Sequence, residues 1–341
     1  MIRFSSAWAL VLGCSTFACA SESTAVTGQD DDLIGGRLAK TSEYPATLLV
    51  RGNCTVSKVG PRHLLTAAHC VDYYGPGSEI EITAKNAIGA FVKGSAEAPF
   101  TKLTVAEVVV EPTWAAFCQA SQCGSVDVSG RTKMADAAVL VVTEEIAGIA
   151  EAAIDLSPVE NDDAVVIAGY GCEDAVGGNW DYQNQRLRIA ETRAVAFDDT
   201  IHTGSFMLPE DRRSGVADTM AGIYLITPGP DYGKRTPIAE PGRDAGAVAA
   251  SGRGPRAGGL CPGDSGGPLY RKDGTGLTVV GINANYTFSG GESYEVDGRR
   301  FNYGGNPTTN WHTRVDGTHE LAVGAWLKSI GVRTVCSRGG C

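Results

Sequence analysis

Short apolar runs recur along this chain, set apart by clusters of Gly, Pro, Asn and Asp, at 47–50, 63–68, 103–110, 137–143, 164–170 and 277–284. Most are rich in Val, Ile, Leu and Thr and too short for ordinary helices, so the pattern predicts strands. Many short strands separated by turn signals predict an all-β sandwich or barrel. One stretch has the helical period instead. Val323, Trp326, Leu327 and Ile330 fall at i, i+3, i+4 and i+7, with Asp316 or Thr318 placed to cap the start and Gly331 placed to end it. This predicts a C-terminal helix docking one apolar stripe on the β core. Residues 196–258, rich in Gly, Pro, Arg and Asp, and 287–310, rich in Gly, Asn and charge, read as long surface loops of the kind that carry function. No internal repeat is present.

Composition bounds the class. A chain of 341 residues can bury one large core or two modest ones. A formal charge of −10 argues against a nucleic-acid partner or an anionic membrane surface. The first twenty residues read as an export signal: Arg3 supplies a positive region, 4–13 an apolar stretch, and Ala18-Cys19-Ala20 a small-residue cleavage pattern. That stretch is too short to span a bilayer, and no later segment is long enough, so no transmembrane segment is expected. The alternative export route is a lipid anchor on Cys14, because Val11-Leu12-Gly13-Cys14 resembles a bacterial lipoprotein box, or on Cys19. Cleavage after Ala20 leaves eight of the ten cysteines, an even set suited to disulfides in a secreted or periplasmic protein. Residues 21–32 are polar and acidic and read as a pro-segment or linker.

Three segments carry chemistry together. Leu64-Leu65-Thr66-Ala67-Ala68-His69-Cys70 ends an apolar run on a His beside a Cys; Met134-Ala135-Asp136-Ala137-Ala138-Val139-Leu140 leads a single acid into a strand; and 261–269, Cys-Pro-Gly-Asp-Ser-Gly-Gly-Pro-Leu, holds Ser265 in a Gly-rich turn. A neutral Ser hydroxyl needs a base to take its proton as it attacks. A His can take that proton and return it to the leaving group. A buried carboxylate fixes the His tautomer and stabilises the imidazolium. The glycines let consecutive N–H groups converge on one point, where they can receive a developing oxyanion. The other histidines, His63, His202, His312 and His319, show no tight metal-ligand spacing, and no ligand set for calcium or another metal is legible.

These three segments, in the order His, Asp, Ser, resemble the signatures of the trypsin/chymotrypsin family, over roughly 33–331. The resemblance implies a serine endopeptidase that needs no cofactor, with His69 as base, Asp136 as orienting acid and Ser265 as nucleophile, and with the N–H groups of Gly263 and Ser265 as the oxyanion hole. Protein or peptide substrates and a protease inhibitor are the partners it implies. It also implies two six-stranded antiparallel β-barrels, about 33–150 and 160–315, with the site between them, and 332–341 as a tail. Cys54 and Cys70 match the disulfide that staples the His loop. Leu33-Ile34-Gly35-Gly36 resembles the N-terminus made by processing, whose α-amino group at Leu33 would pair with Asp264.

The departures bear on specificity and activation. Asp32 precedes Leu33 and no basic residue lies between Ser21 and Gly36, so a trypsin-like activator cannot cut there; an acid-tolerant protease or one of another class is expected. Six residues before Ser265, where trypsin-like members carry Asp, this chain has Gly259, followed by Leu260. Aligning 281–286 and 313–315 with the family's pocket-wall strands places Tyr286 and Asn310 where most members keep Gly. This predicts a narrowed, uncharged pocket for a small or modest apolar side chain rather than Arg or Lys. The alternative is that an acid of 287–310, such as Glu292, Glu295 or Asp297, rebuilds the floor. The usual partner of Cys261 is missing, so Cys172–Cys261 is the expected bond, with Cys118–Cys123 and Cys336–Cys341 as local loops. Two further readings stand beside the active protease: a non-enzymatic binding module on the same fold, and an enzyme held permanently as a zymogen.

Overall fold

In a computed structural model of the chain the residues described are 33, 36–39, 43–51, 54–83, 100–121, 134–171, 186–195, 222–229, 258–273, 276–288, 293–296, 299–302, 307–316, 323–339 and 341. They are mostly strand. After β1 (Arg37–Leu38), strands β2 (Thr47–Leu49), β3 (Thr55–Gly60), β4 (His63–Thr66), β5 (Glu79–Thr83), β6 (Phe100–Val110) and β7 (Ala138–Val142) follow in the chain. Six of these form a sheet in the order β2-β3-β4-β7-β6-β5, antiparallel throughout. The apolar run of β7 is buried along nearly its whole length, as its central place demands, whereas Leu103 and Val105 of β6 alternate with exposed neighbours.

The second sheet is built from β8 (Ala153–Asp155), β9 (Ala164–Gly169), β10 (Arg188–Arg193), β11 (Tyr224–Pro228), β12 (Pro268–Arg271) and β13 (Thr278–Phe288), with β16 (Pro307–Arg314), β17 (Thr334–Val335) and β1 added. Its path runs β1-β10-β9-β12-β13-β16-β11, with β8 parallel to β13 and β17 parallel to β8. A separate hairpin joins β14 (Ser293–Val296) and β15 (Arg299–Asn302). The expected pair of antiparallel six-stranded barrels is therefore met only in part. The second sheet has nine strands, two of them joined in parallel, and in each sheet the ends of the six-strand run meet through one isolated bridge, Val50–Ile82 or Val195–Ile226, not through a continuous ladder.

Both sheets contribute to the main apolar cluster, which includes Leu48, Val56, Leu64, Leu140, Tyr170, Tyr270 and Ile282; a second cluster gathers Leu33, Val165, Ile167, Leu225, Leu260 and Val280. Helix α2 (Val323–Ser329) docks as its period predicts, with Val323 and Leu327 buried and Trp326 and Ile330 packed on the core; Gly331, at φ +80°, follows it. Asp316, offered as a cap, lies ahead of residues 317–322, which are outside the described residues. Its carboxylate accepts the Val159 N–H at 2.9 Å and bonds Arg314. Thr318 lies outside the described residues. The stretch 196–258 contains a strand where a surface loop is expected, because Tyr224–Pro228 is buried and ladders on β16. Helix α1 (Pro112–Ser121) is also unforeseen: the Glu111 carboxylate accepts the N–H groups of Thr113 and Trp114 and so caps its first turn. Among the described residues, no helix is long and apolar enough to cross a membrane.

Candidate active site

Strand pairing brings His69 and Asp136 together. Thr66, the last residue of β4, ladders with Ala138, the first of β7. The chain just beyond β4 therefore lies beside the chain just before β7. There a single 3-10 turn, Ala68–Cys70, presents His69, and the fully buried Asp136 faces it. Asp136 Oδ1 accepts the His69 backbone N–H at 3.0 Å, and Oδ2 lies 2.7 Å from His69 Nδ1. An ionised carboxylate only accepts, so this contact suits a proton on Nδ1, and in the neutral ring that leaves Nε2 its lone pair, the form a base needs. The acid is itself held: Thr313 Oγ1 donates to the Asp136 carbonyl at 3.0 Å, and the Ala135 N–H donates to Thr113 Oγ1 at 3.0 Å.

The Ser265 turn is docked on the same sheet. Thr55 is the hinge of that contact, donating from N–H to the Ser265 carbonyl at 2.9 Å and from Oγ1 to the Gly263 carbonyl at 2.8 Å, while its Oγ1 accepts the Tyr170 N–H at 3.0 Å. Cys54, the residue before Thr55, is disulfide-bonded to Cys70, the residue after His69. One covalent link thus spans from the histidine turn to the strand that seats the serine. On its other side the turn pairs with β13, Gly266 N–H to the Asn283 carbonyl at 2.8 Å and Asn283 N–H to the Gly267 carbonyl at 2.7 Å. Gly266 sits at φ +78°, and a Cβ there would lie 2.0 Å from Thr66 Oγ1, so only glycine lets the turn approach this closely. Among the described residues, the N–H groups of Gly263 and Ser265 make no hydrogen bond, nor does Ser265 Oγ bond His69. His69 Nε2 lies 3.7 Å from Cys70 Sγ.

Asp264 points the other way, into the protein. It is fully buried and accepts the N–H groups of Gly171 at 2.8 Å and Cys261 at 3.0 Å. Among the described residues no cation lies within ion-pair distance of it. Burial pushes its carboxyl up to about 7, against the pull of those two N–H groups and of Arg188 on β10. The turn Gly169-Tyr170-Gly171 wraps this carboxylate so closely that a Cβ at either glycine would fall within 2.4 Å of one of its oxygens. Leu33, whose amino group is expected to pair with Asp264 after processing, is buried at φ +53° in the second apolar cluster.

The expected pocket residues also converge. Tyr286 and Asn310 are ladder partners on β13 and β16. The fully buried Asn310 side chain crosses to the segment ahead of the nucleophile, accepting the Leu260 N–H at 2.7 Å and donating to the Gly258 carbonyl at 2.7 Å. Gly259 and Leu260 are buried, and Tyr286 packs half-buried against the second cluster. Glu292 and Asp297, and the side chain of Glu295, lie outside the described residues. Of the other cysteines, Cys336–Cys341 forms as expected; Cys118 and Cys261 are in disulfides, and their expected partners, Cys123 and Cys172, lie outside the described residues. The ligand atoms of Cys54, His69 and Cys70 cluster within 4.8 Å, but the two sulfurs are bonded to each other, so this grouping is the disulfide beside the histidine.

Four polar residues that hold the site, Thr55, Asn283, His312 and Thr313, carry no signature in the sequence, and only strand register shows what each meets. Comparison with known families finds that the family model described as Trypsin matches residues 33–219, a span that takes in His69 and Asp136 and ends before Ser265. No curated protein matches the chain.

Proposed function

The chain belongs to the trypsin family, and from that premise we propose that it is a secreted serine endopeptidase acting through His69, Asp136 and Ser265. The observation that carries this reading is the double acceptance of His69 by the buried Asp136, on the sheet to which Thr55 ties the Ser265 turn. Ser265 Oγ attacks the scissile carbonyl carbon as its proton passes to His69 Nε2. The N–H groups of Gly263 and Ser265 receive the oxyanion. Collapse breaks the C–N bond, His69 gives the proton to the departing amine, and water repeats the sequence on the acyl-enzyme. We read each six-strand run as a barrel closed by its single bridge.

The pocket is read as shallow and uncharged. Gly259 leaves no acid at its floor, and the Asn310 side chain is stretched between Gly258 and Leu260, so a small P1 side chain fits and Arg or Lys does not. A proteinaceous inhibitor would bind the same cleft. A second reading, of the unprocessed chain as an inactive precursor, is favoured by Asp264, which among the described residues is buried on neutral hydrogen-bond donors. Cutting ahead of Leu33 would supply it with a cation partner.

Labelling with a serine-directed fluorophosphonate tests the enzyme reading. Processed wild type should label and Ser265→Ala should not. Absence of labelling in protein whose N-terminus is Leu33 by sequencing would sink it, and full activity in protein starting at Ser21 would sink the precursor reading. A peptide-library profile dominated by Arg or Lys at P1 would overturn the pocket assignment.

A further inference from the structure

We propose that His312, acting through Asn283, is a positioning residue for the Ser265 turn, the middle of a one-directional run of buried hydrogen bonds from the pocket wall to the nucleophile. The proposal rests on the reading of Ser265 as the nucleophile.

The direction of the run follows from what each group can donate. Asn283 Nδ2 lies 3.0 Å from the Ala168 carbonyl and 3.2 Å from the Asp264 carbonyl. Carbonyls only accept, so the amino group of Asn283 faces them and its Oδ1 faces His312 Nδ1, 2.8 Å away. His312 Nδ1 must then carry the proton. His312 is fully buried and burial pushes its imidazole down to about 3, so the ring is neutral and Nε2 is an acceptor. Its partner is Thr227 Oγ1 at 3.0 Å. The threonine hydroxyl spends its one proton there and accepts from Asn310 Nδ2 at 3.1 Å. Thr227, Asn283, Asn310 and His312 are all 0 % exposed.

The consequence for the nucleophile is positional. Asn283 meets the turn through its backbone at Gly266 and Gly267 and through its side chain at Asp264. The Asp264 carbonyl also takes the Gly267 N–H at 3.0 Å. Peptides on both sides of Ser265 are therefore oriented by Asn283, and its amide can face them only if a donor, His312 Nδ1–H, occupies its other end. Because buried donors and acceptors left unmatched are costly, the run is matched throughout or the turn shifts. Thr313, next along β16, donates to the Asp136 carbonyl. Adjacent side chains of one strand thus address the acid and the nucleophile turn.

Nitrogen-15 NMR of histidine-labelled wild type tests the tautomer directly. His312 should show a protonated Nδ1 and a bare Nε2 at neutral pH; a protonated Nε2 would overturn the proposal. Kinetics test the role. Asn283→Asp keeps the acceptor toward His312 but leaves at most one donor toward Asp264 and Ala168, and His312→Leu removes the ring. Each should lower kcat about tenfold or more with KM within about twofold, while His312→Asn, which keeps a donor at the Nδ1 position, should recover most of the loss. Equal kcat in Asn283→Asp and wild type, or no difference between the Leu and Asn variants, would refute it. Amide shifts of 264–267, read in a Ser265→Ala background, should move with Asn283→Asp and His312→Leu. That readout needs no activity: if wild type proves inert the endopeptidase reading fails, while the tautomer and the turn shifts still decide the clamp.

Discussion

Replacing Asp264 with Asn should tilt the dependence of stability on pH between about pH 4 and pH 6.5. Asp264 is held at about 7 in the folded chain against 3.8 for an ordinary Asp, because burial disfavours its charge. Below pH 3.8 both states are protonated and nothing is lost. As pH rises toward 7 the unfolded carboxyl ionises while the folded one does not, so stability falls by about 1.4 kcal/mol per pH unit. His312 runs oppositely. It is held down at about 3 against 6.5, so its contribution is complete above pH 6.5 and is lost as pH falls toward 3, again by about 1.4 kcal/mol per unit. Across the shared window the two nearly cancel. Removing Asp264 leaves the His312 slope uncovered, a gain of roughly 3 kcal/mol in the variant relative to wild type between pH 4 and pH 6.5. Urea unfolding of both unprocessed proteins with disulfides intact, at the two pH values, reads the difference from the midpoints. His312→Asn should give the mirror image, a relative loss over the same window. A variant-minus-wild-type difference that is flat within about 0.5 kcal/mol would mean that Asp264 is not held protonated in the folded chain.

Asp136→Asn should cost about ten-thousand-fold in kcat, as in the related triad whose behaviour sets the scale, because an amide facing Nδ1 leaves the proton on Nε2; steady-state rates with unchanged thermal stability would check it. Gly266→Ala places a Cβ against Thr66 Oγ1 and the Thr55 carbonyl at positive φ, and should destabilise the chain by about 2 kcal/mol or more in chemical denaturation and abolish fluorophosphonate labelling. Asp155, ion-paired with Arg271 at 2.7 Å, is held at about 2: burial pushes it up, but hydrogen bonds from Ser337 and the Ser157 N–H outweigh that. Its stabilisation is present above pH 4 and lost as pH falls through 2, so Asp155→Asn should flatten that acid limb, and an unchanged limb in acid titration would count against it.

Much of the site is legible in the sequence because its chemistry is local. TAAHC, the Asp136 segment and GDSGG each hold side chain and turn within a few residues, and the apolar runs that carry the first two pair as β4 and β7. What escapes is set by register. Nothing in the string marks Thr55 as the residue between Gly263 and Tyr170, or places Asn283 opposite His312, until β13 and β16 are laddered. Strand β11 is hidden because its five residues stand amid Gly- and Pro-rich chain that biases the reading toward loop. Helix α1 is hidden because its cap is a glutamate, Glu111, outside the usual set of short polar caps. Asp316 also bonds Arg314 and Val159, partners that spacing does not reveal.

If Ser265 is a nucleophile activated by His69, tandem mass spectrometry of the processed protein after a timed fluorophosphonate exposure should find a single adduct on the peptide containing Ser265. That adduct should be absent in Ser265→Ala and form at least about a thousandfold more slowly in His69→Ala. An adduct on another residue, or one that forms at the same rate without His69, would rule this activation out.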